Sequence, residues 1–111
     1  MEYELVPEDD SSRLELKGEL TYEKTSETTE KILSAVRSRH GPLIVDVSGV
    51  TYLSEDGMAL IVLLYRDALS RGVPVYLQGA QGPVAERIHR AGLDQFLKPP
   101  PSEHEVGSAK G

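Results

Sequence analysis

Two short segments of this chain set polar groups where a site could be built. In Ser54-Glu55-Asp56-Gly57 a hydroxyl and two carboxylates stand at the start of an otherwise apolar run, Met58-Ala59-Leu60-Ile61-Val62-Leu63-Leu64-Tyr65. Ser54 is a competent helix N-cap, and Glu55 and Asp56 complement the positive end of a helix dipole. Capping alone therefore accounts for these residue types. Equally, loops leaving the C-terminal ends of strands in an open α/β sheet are where sites are assembled. Both readings stand on the pattern. The second segment, Gly79-Ala80-Gln81-Gly82, occupies the strand-to-helix position of a phosphate loop. It lacks the Lys-Ser/Thr of a P-loop and the third glycine of a dinucleotide fingerprint, so a tight turn is the preferred reading.

Other chemistries lack their residues. His40, His89 and His104 lie in unrelated contexts with no ligand spacing between them, and the chain has no cysteine. Metal sites and thiol nucleophiles are accordingly not expected. No G-x-S-x-G elbow is present either. Across 111 residues the formal net charge is −6, which has the wrong sign for a phosphate-binding face. No apolar run is long enough to cross a bilayer, and the acidic start Met1-Glu2-Tyr3-Glu4 lacks a signal-peptide pattern. A soluble cytoplasmic domain is expected, with no nucleic acid, membrane insertion or cofactor implied.

The elements that would position Ser54–Asp56 follow from periodicity. Tyr3 and Leu5, then Leu14, Leu16 and Leu20, recur by twos, so the chain opens with two strands joined by the acidic turn at residues 8–12. Gly18 inside the second strand marks a bulge. From Thr25 or Ser26 to about Arg39 the period becomes helical, with Ile32, Leu33 and Val36 on one face. Gly41-Pro42 stops it. Leu43-Ile44-Val45-Asp46-Val47 is a buried central strand; Ser48-Gly49 breaks it, and residues 50–53 form a connector or short extended piece. A largely buried helix follows, ending at Gly72. Residues 73–77 give another strand, and Pro83 opens a last helix whose inner face is Val84, Ile88 and Ala91. Gly92 closes it, and Leu93, Phe96 and Leu97 pack back on the core. These elements make one α/β domain over residues 1–97, with parallel strands after an opening β-hairpin, and a disordered tail over residues 98–111 rich in Pro, Ser and Gly.

The run from Leu43 to Leu53, followed by Ser54-Glu55-Asp56-Gly57-Met58-Ala59-Leu60, resembles the core of STAS domains, which sulphate transporters and bacterial anti-sigma-factor antagonists share. Gly18-Glu19-Leu20 resembles the family's "GEL" strand, residues 72–77 its next strand, and Ala91-Gly92-Leu93 with Phe96 its terminal "GL…F" element. The ordered set spans residues 3–97. The resemblance implies a mixed, mainly parallel sheet and a non-enzymatic module that docks on an anti-sigma factor or serine kinase of the histidine-kinase-like ATPase fold. It places partner contacts at Thr21, Tyr22 and Glu23 and at Ser54, Glu55, Asp56, Gly57 and Met58. Met58 is expected at the exposed edge, as adaptable apolar contact. Two alternatives remain: a STAS subunit of a lipid-transporting ABC transporter, and a nucleotide binder or enzyme using the 78–82 turn.

The chain departs from the family at the regulatory position. There the resemblance implies a phosphorylated Ser or Thr directly before the Gly, and this chain has Asp56, with Ser54 in place of the usual Asp. An aspartate is no substrate for a serine kinase, and it carries about −1 where phosphoserine carries about −1.5 to −2. Asp56 is then a permanent partial mimic of the phosphorylated state, or the acceptor has moved to Ser54, or the partner is bound without a phosphoswitch. The third is preferred.

Overall fold

Alternation by twos places every second residue of a strand on the same face. The structure, a computed structural model, describes residues 1–101 and bears out that reading from its first strands. β1 (Glu2–Pro7) pairs antiparallel with β2 (Ser12–Leu20), Leu5 opposite Leu14 and Tyr3 opposite Leu16. β3 (Leu43–Leu53) lies parallel to β2, and β4 (Val75–Gln78) parallel to β3. The spatial order is β1-β2-β3-β4. Among the described residues α1 (Tyr22–Thr25) and α2 (Thr29–Arg37) lie between β2 and β3, α3 (Met58–Ser70) between β3 and β4, and α4 (Gly82–Arg90) follows β4. A 3-10 turn, Leu93–Gln95, follows α4.

The helices cover one sheet face. Leu14 and Leu16 of β2, Val45 and Val47 of β3 and Leu77 of β4 are buried beneath Ile32 and Val36 of α2, Leu60, Ile61 and Leu64 of α3, and Val84 and Ile88 of α4. Each fully buried Leu or Ile contributes about 1.5–3 kcal/mol relative to exposure, so this shared layer holds the elements in register. On the other face the rows Val6–Arg13–Ile44–Tyr76 and Glu4–Glu15–Asp46–Gln78 run across the sheet, and none of these residues is buried.

Four local expectations need correction. The first helix does not begin at Thr25 or Ser26. The chain makes the single turn α1, capped by Thr21, and restarts as α2 at Thr29. Threonine hydroxyls account for the break: Thr25 Oγ1 donates to the Thr21 carbonyl and Thr29 Oγ1 to the Thr25 carbonyl at 2.7 Å, tying both turns to Thr25, which is buried. β3 does not break at Ser48-Gly49 but continues to Leu53. Its irregularity is absorbed as register shifts against β2 on either side of Lys17-Gly18, where Gly18 takes φ +91°. Ala91 is exposed, because α4 ends at Arg90. Leu97 is buried and Leu93 packs against the core as expected, but Phe96 is 60% exposed and meets Tyr65 with ring centroids 6.0 Å apart.

At the C-terminal side, residues 98–101 form no regular element, although the Lys98 carbonyl accepts a hydrogen bond from Leu77 N–H at 2.9 Å. The rest of the expected tail lies outside the described residues. No helix among the described residues is long and apolar enough to cross a membrane.

Candidate functional site

β2 and β3 are parallel and in register at their ends, Leu20 beside Leu53, so the loops that follow them leave the same sheet edge together. Thr21 and Ser54 are thereby neighbours, although 33 positions apart in the chain. The Leu20 carbonyl stitches the two exits: it accepts from Ser54 N–H at 3.1 Å, and Ser54 Oγ lies 3.3 Å away. Gly57 then passes directly beneath it. A Cβ on Gly57 would sit 1.9 Å from the Leu20 oxygen, so glycine is needed here for space; its φ of −67° is one any residue adopts.

Ser54 closes the turn ahead of α3. Its Oγ accepts from Gly57 N–H at 2.9 Å and its carbonyl from Met58 N–H at 3.1 Å, satisfying two amides that have no partner within the helix. The same hydroxyl donates its proton to Asp56 Oδ1, which also receives Tyr22 N–H at 3.5 Å. Asp56 thus braces α1 against the start of α3. Its carboxyl is held below the ordinary carboxylate range, mainly by the Ser54 hydroxyl; slight desolvation opposes the shift, and the Tyr22 and Gly57 amides add to it.

Thr21 caps α1 through Oγ1, which accepts from Lys24 N–H at 3.2 Å, and Glu23 stands in its first turn. Tyr22 is 61% exposed and projects from the edge. Glu55 is fully turned to solvent, with its nearest cation Arg87 Nη1 at 3.9 Å. The fold therefore gathers Thr21, Tyr22, Glu23, Ser54, Glu55, Asp56 and Gly57 at one edge. Met58 is the exception. It is buried in the core, because the first residue of α3 already turns inward into the cluster that also holds Leu20 and Leu53, and it offers the edge no large apolar contact. Arg87, on α4, is the neighbour that sequence reading missed; no local spacing links it to Glu55.

The other candidate segments resolve structurally. The 79–82 loop is a turn: Gly79 has φ +84° and Gly82 φ +53°, and a Cβ on Gly79 would lie 2.7 Å from that of Ser48. The depression beside it is lined by Gln78, Gly79, Ala80, His89 and Asp94, among others, with no Lys or Arg to meet a phosphate. His89 is exposed and bonded through Nδ1 to Asp94 Oδ2 at 2.6 Å, which raises its pKa. Among the described residues no group of three His, Asp or Glu side chains is placed to hold a metal ion.

Known structures share this architecture. The chain superposes on an anti-sigma factor antagonist from Mycobacterium paratuberculosis with a TM-score of 0.77 at 23% identity, covering 97% of this chain and 92% of that one. The unphosphorylated anti-sigma factor antagonist SpoIIAA matches with a TM-score of 0.74 at 16% identity, over 99% of this chain and 97% of that one. The STAS domain of a SulP transporter from Vibrio cholerae matches at 0.65 and 19% identity, over 94% and 83%. At these identities the likeness is one of fold, and it spans regulators and transporter domains alike. The family assignment rests on sequence: residues 5–99 match the family model described as "Mlab, STAS domain". With a paired β2–β3 exit, a turn closed by Ser54 ahead of α3 and a match over most of its length, this chain belongs to that STAS family.

Proposed function

We propose that this protein is a non-enzymatic, cytoplasmic docking module that controls an ATPase-fold partner of the anti-sigma-factor type and so governs release of a sigma factor. Docking uses the edge formed by Thr21, Tyr22 and Glu23 with Ser54, Glu55, Asp56 and Gly57, while Met58 supports it from beneath. One observation carries the reading. Asp56, in the position where the family resemblance implies the phosphoacceptor, is bonded to both halves of that edge, to Ser54 and to the Tyr22 amide. That carboxylate is not a substrate for a serine kinase, so the contact it makes between the two halves is independent of such a switch.

Ser54 is a poor substitute acceptor. Its oxygen is already committed to Gly57 N–H and its proton to Asp56. A phosphate there would lie beside Glu55 and Asp56, where like charges oppose it. Exposed Glu55 supplies a charge that sets encounter rate and specificity toward a basic partner surface.

A constitutive edge also suits a second reading, a STAS subunit in permanent contact with the ATPase subunit of a lipid transporter, because such a contact needs no phosphoswitch. Calorimetric titration with each class of purified ATPase domain separates the two. The first reading expects saturable binding to the anti-sigma-factor ATPase, weakened at least about tenfold by Glu55→Lys or Asp56→Lys. Binding to the transporter ATPase alone would favour the second, and binding to neither would remove both.

A further inference from the structure

α3 is apolar almost all round, which is more than its core face requires. Leu60, Ile61, Leu64 and Ala68 are buried against the sheet, yet Ala59, Val62, Leu63 and Arg66 make a second stripe at i, i+3, i+4 and i+7 that faces away from the core. Between this stripe and the end of α4 runs a groove of about 470 Å3, floored by Met58, Ala59, Val62, Leu63, Ala91 and Leu93. Leu63 is 41% exposed there. A second depression of about 300 Å3 shares Glu55, Met58 and Ala91 and extends the groove past Arg87 and Arg90.

The charges around the groove run against those of the whole chain. The protein carries −6, but Arg66, Arg87 and Arg90 border the two depressions against the single carboxylate of Glu55. Arg66 makes no ion pair among the described residues, Arg87 has only the long contact to Glu55, and Arg90 is paired to Glu86. An apolar floor at helical spacing, edged by guanidinium groups, suits an amphipathic helix whose flanks are acidic. A second copy of this chain is a poor occupant: the apolar stripe it could offer is that of α3, edged by the same arginines, and a two-fold pairing would set like charges against each other.

We infer that the α3–α4 groove is a docking site for an acidic amphipathic helix of a partner protein. The inference rests on the docking reading above and adds to it a second contact, along α3 rather than at its N-terminus. Two such helices pack with axes about 8–10 Å apart, a spacing at which the partner's apolar residues reach Val62 and Leu63 while its carboxylates meet Arg66 and Arg87.

The test uses two synthetic helical peptides of about 18 residues, long enough to hold helix in water when Ala-rich. Both carry Leu at i, i+3, i+4 and i+7; one has Glu on the flanks and the other Lys. Each is titrated into 15N-labelled full-length protein at low salt. The Glu peptide should shift the amides of Ala59, Val62, Leu63, Arg66, Ala91 and Leu93 saturably and bind about tenfold tighter than the Lys peptide. Leu63→Asp, or Ala59→Glu should that variant fail to fold, should abolish the shifts, and Arg66→Glu with Arg87→Glu should invert the preference. No saturable shift, equal affinity for both peptides, shifts confined to another face, or a concentration-dependent dimer covering the groove would overturn the inference. No ATPase is present in this assay. Loss of peptide binding with ATPase docking intact removes the groove alone, and the reverse removes only the edge reading.

Discussion

The carbonyl oxygen of Leu20 occupies the space where a side chain on Gly57 would begin, 1.9 Å from the position of its Cβ. The end of β2 and the entry to α3 are thus in direct backbone contact, and the edge that carries Thr21 and Ser54 is built on that contact. Gly57→Ala should force the two apart. Overpacking of this kind costs about 1–3 kcal/mol, so urea denaturation should show a lower midpoint with an unchanged slope. Amide shifts should concentrate at Tyr22, Ser54 and Met58. A variant of unaltered stability would mean that the contact is easily relaxed.

Asp56 should prevent phosphorylation at its position. Incubation with an anti-sigma-type serine kinase and ATP is expected to leave the intact mass unchanged, whereas Asp56→Ser should gain one phosphate if the kinase docks. A wild-type phosphate abolished by Ser54→Ala would show that the acceptor has moved. The stability of Ser54→Ala is measured alongside, since loss of its hydrogen bond to Gly57 N–H alone costs about 1 kcal/mol.

The bond between Ser54 and Asp56 should also be visible in titration. The Asp56 carboxyl is held low in the folded state, so its contribution is present above its unfolded pKa and is lost as pH falls through the folded value. In Ser54→Ala the carboxyl midpoint, followed by carbon chemical shift, should rise toward the ordinary aspartate value. No movement would show that Ser54 is not the main cause of the shift.

Asp67 joins α2 to the end of α3. Its Oδ1 receives Arg37 Nε at 2.8 Å and its Oδ2 receives Arg71 Nη2 at 2.9 Å. Burial alone would raise its pKa, but the two guanidinium bonds outweigh burial and lower it. Asp67→Asn should cost about 1 kcal/mol near neutral pH, because both arginines remain in reach of water. The difference from wild type should shrink as pH falls through the folded pKa of Asp67, where wild type loses the same interaction. Denaturation curves at several pH values check this.

Limited proteolysis tests the proposed division near residue 97. Cleavage is expected near Pro99–Pro101, leaving a resistant fragment that includes Leu97, which is buried. Early cuts within residues 43–77 would contradict a single domain.

Strand and helix periods were legible because they depend on local burial alone. Leu14 and Leu16, or Ile32 and Val36, must share a face whatever they pack against. The bond from Gly57 N–H to Ser54 is equally local, although it lies in the turn before α3 and the N-cap position itself is Gly57, and the order of motifs from Gly18-Glu19-Leu20 to Leu93 carried the family. Boundaries set by competing contacts were not legible. The Thr21–Thr25–Thr29 hydroxyl bonds split a helix that the apolar pattern made continuous, and pairing with β2 carried β3 through Ser48-Gly49. Only the tertiary structure decided that Met58 turns inward, that Arg87 faces Glu55, and that Asp56 joins Ser54 to the Tyr22 amide. These relations depend on which strand ends lie side by side, and that follows from sheet register, a property of the packed chain that no short window of residues contains.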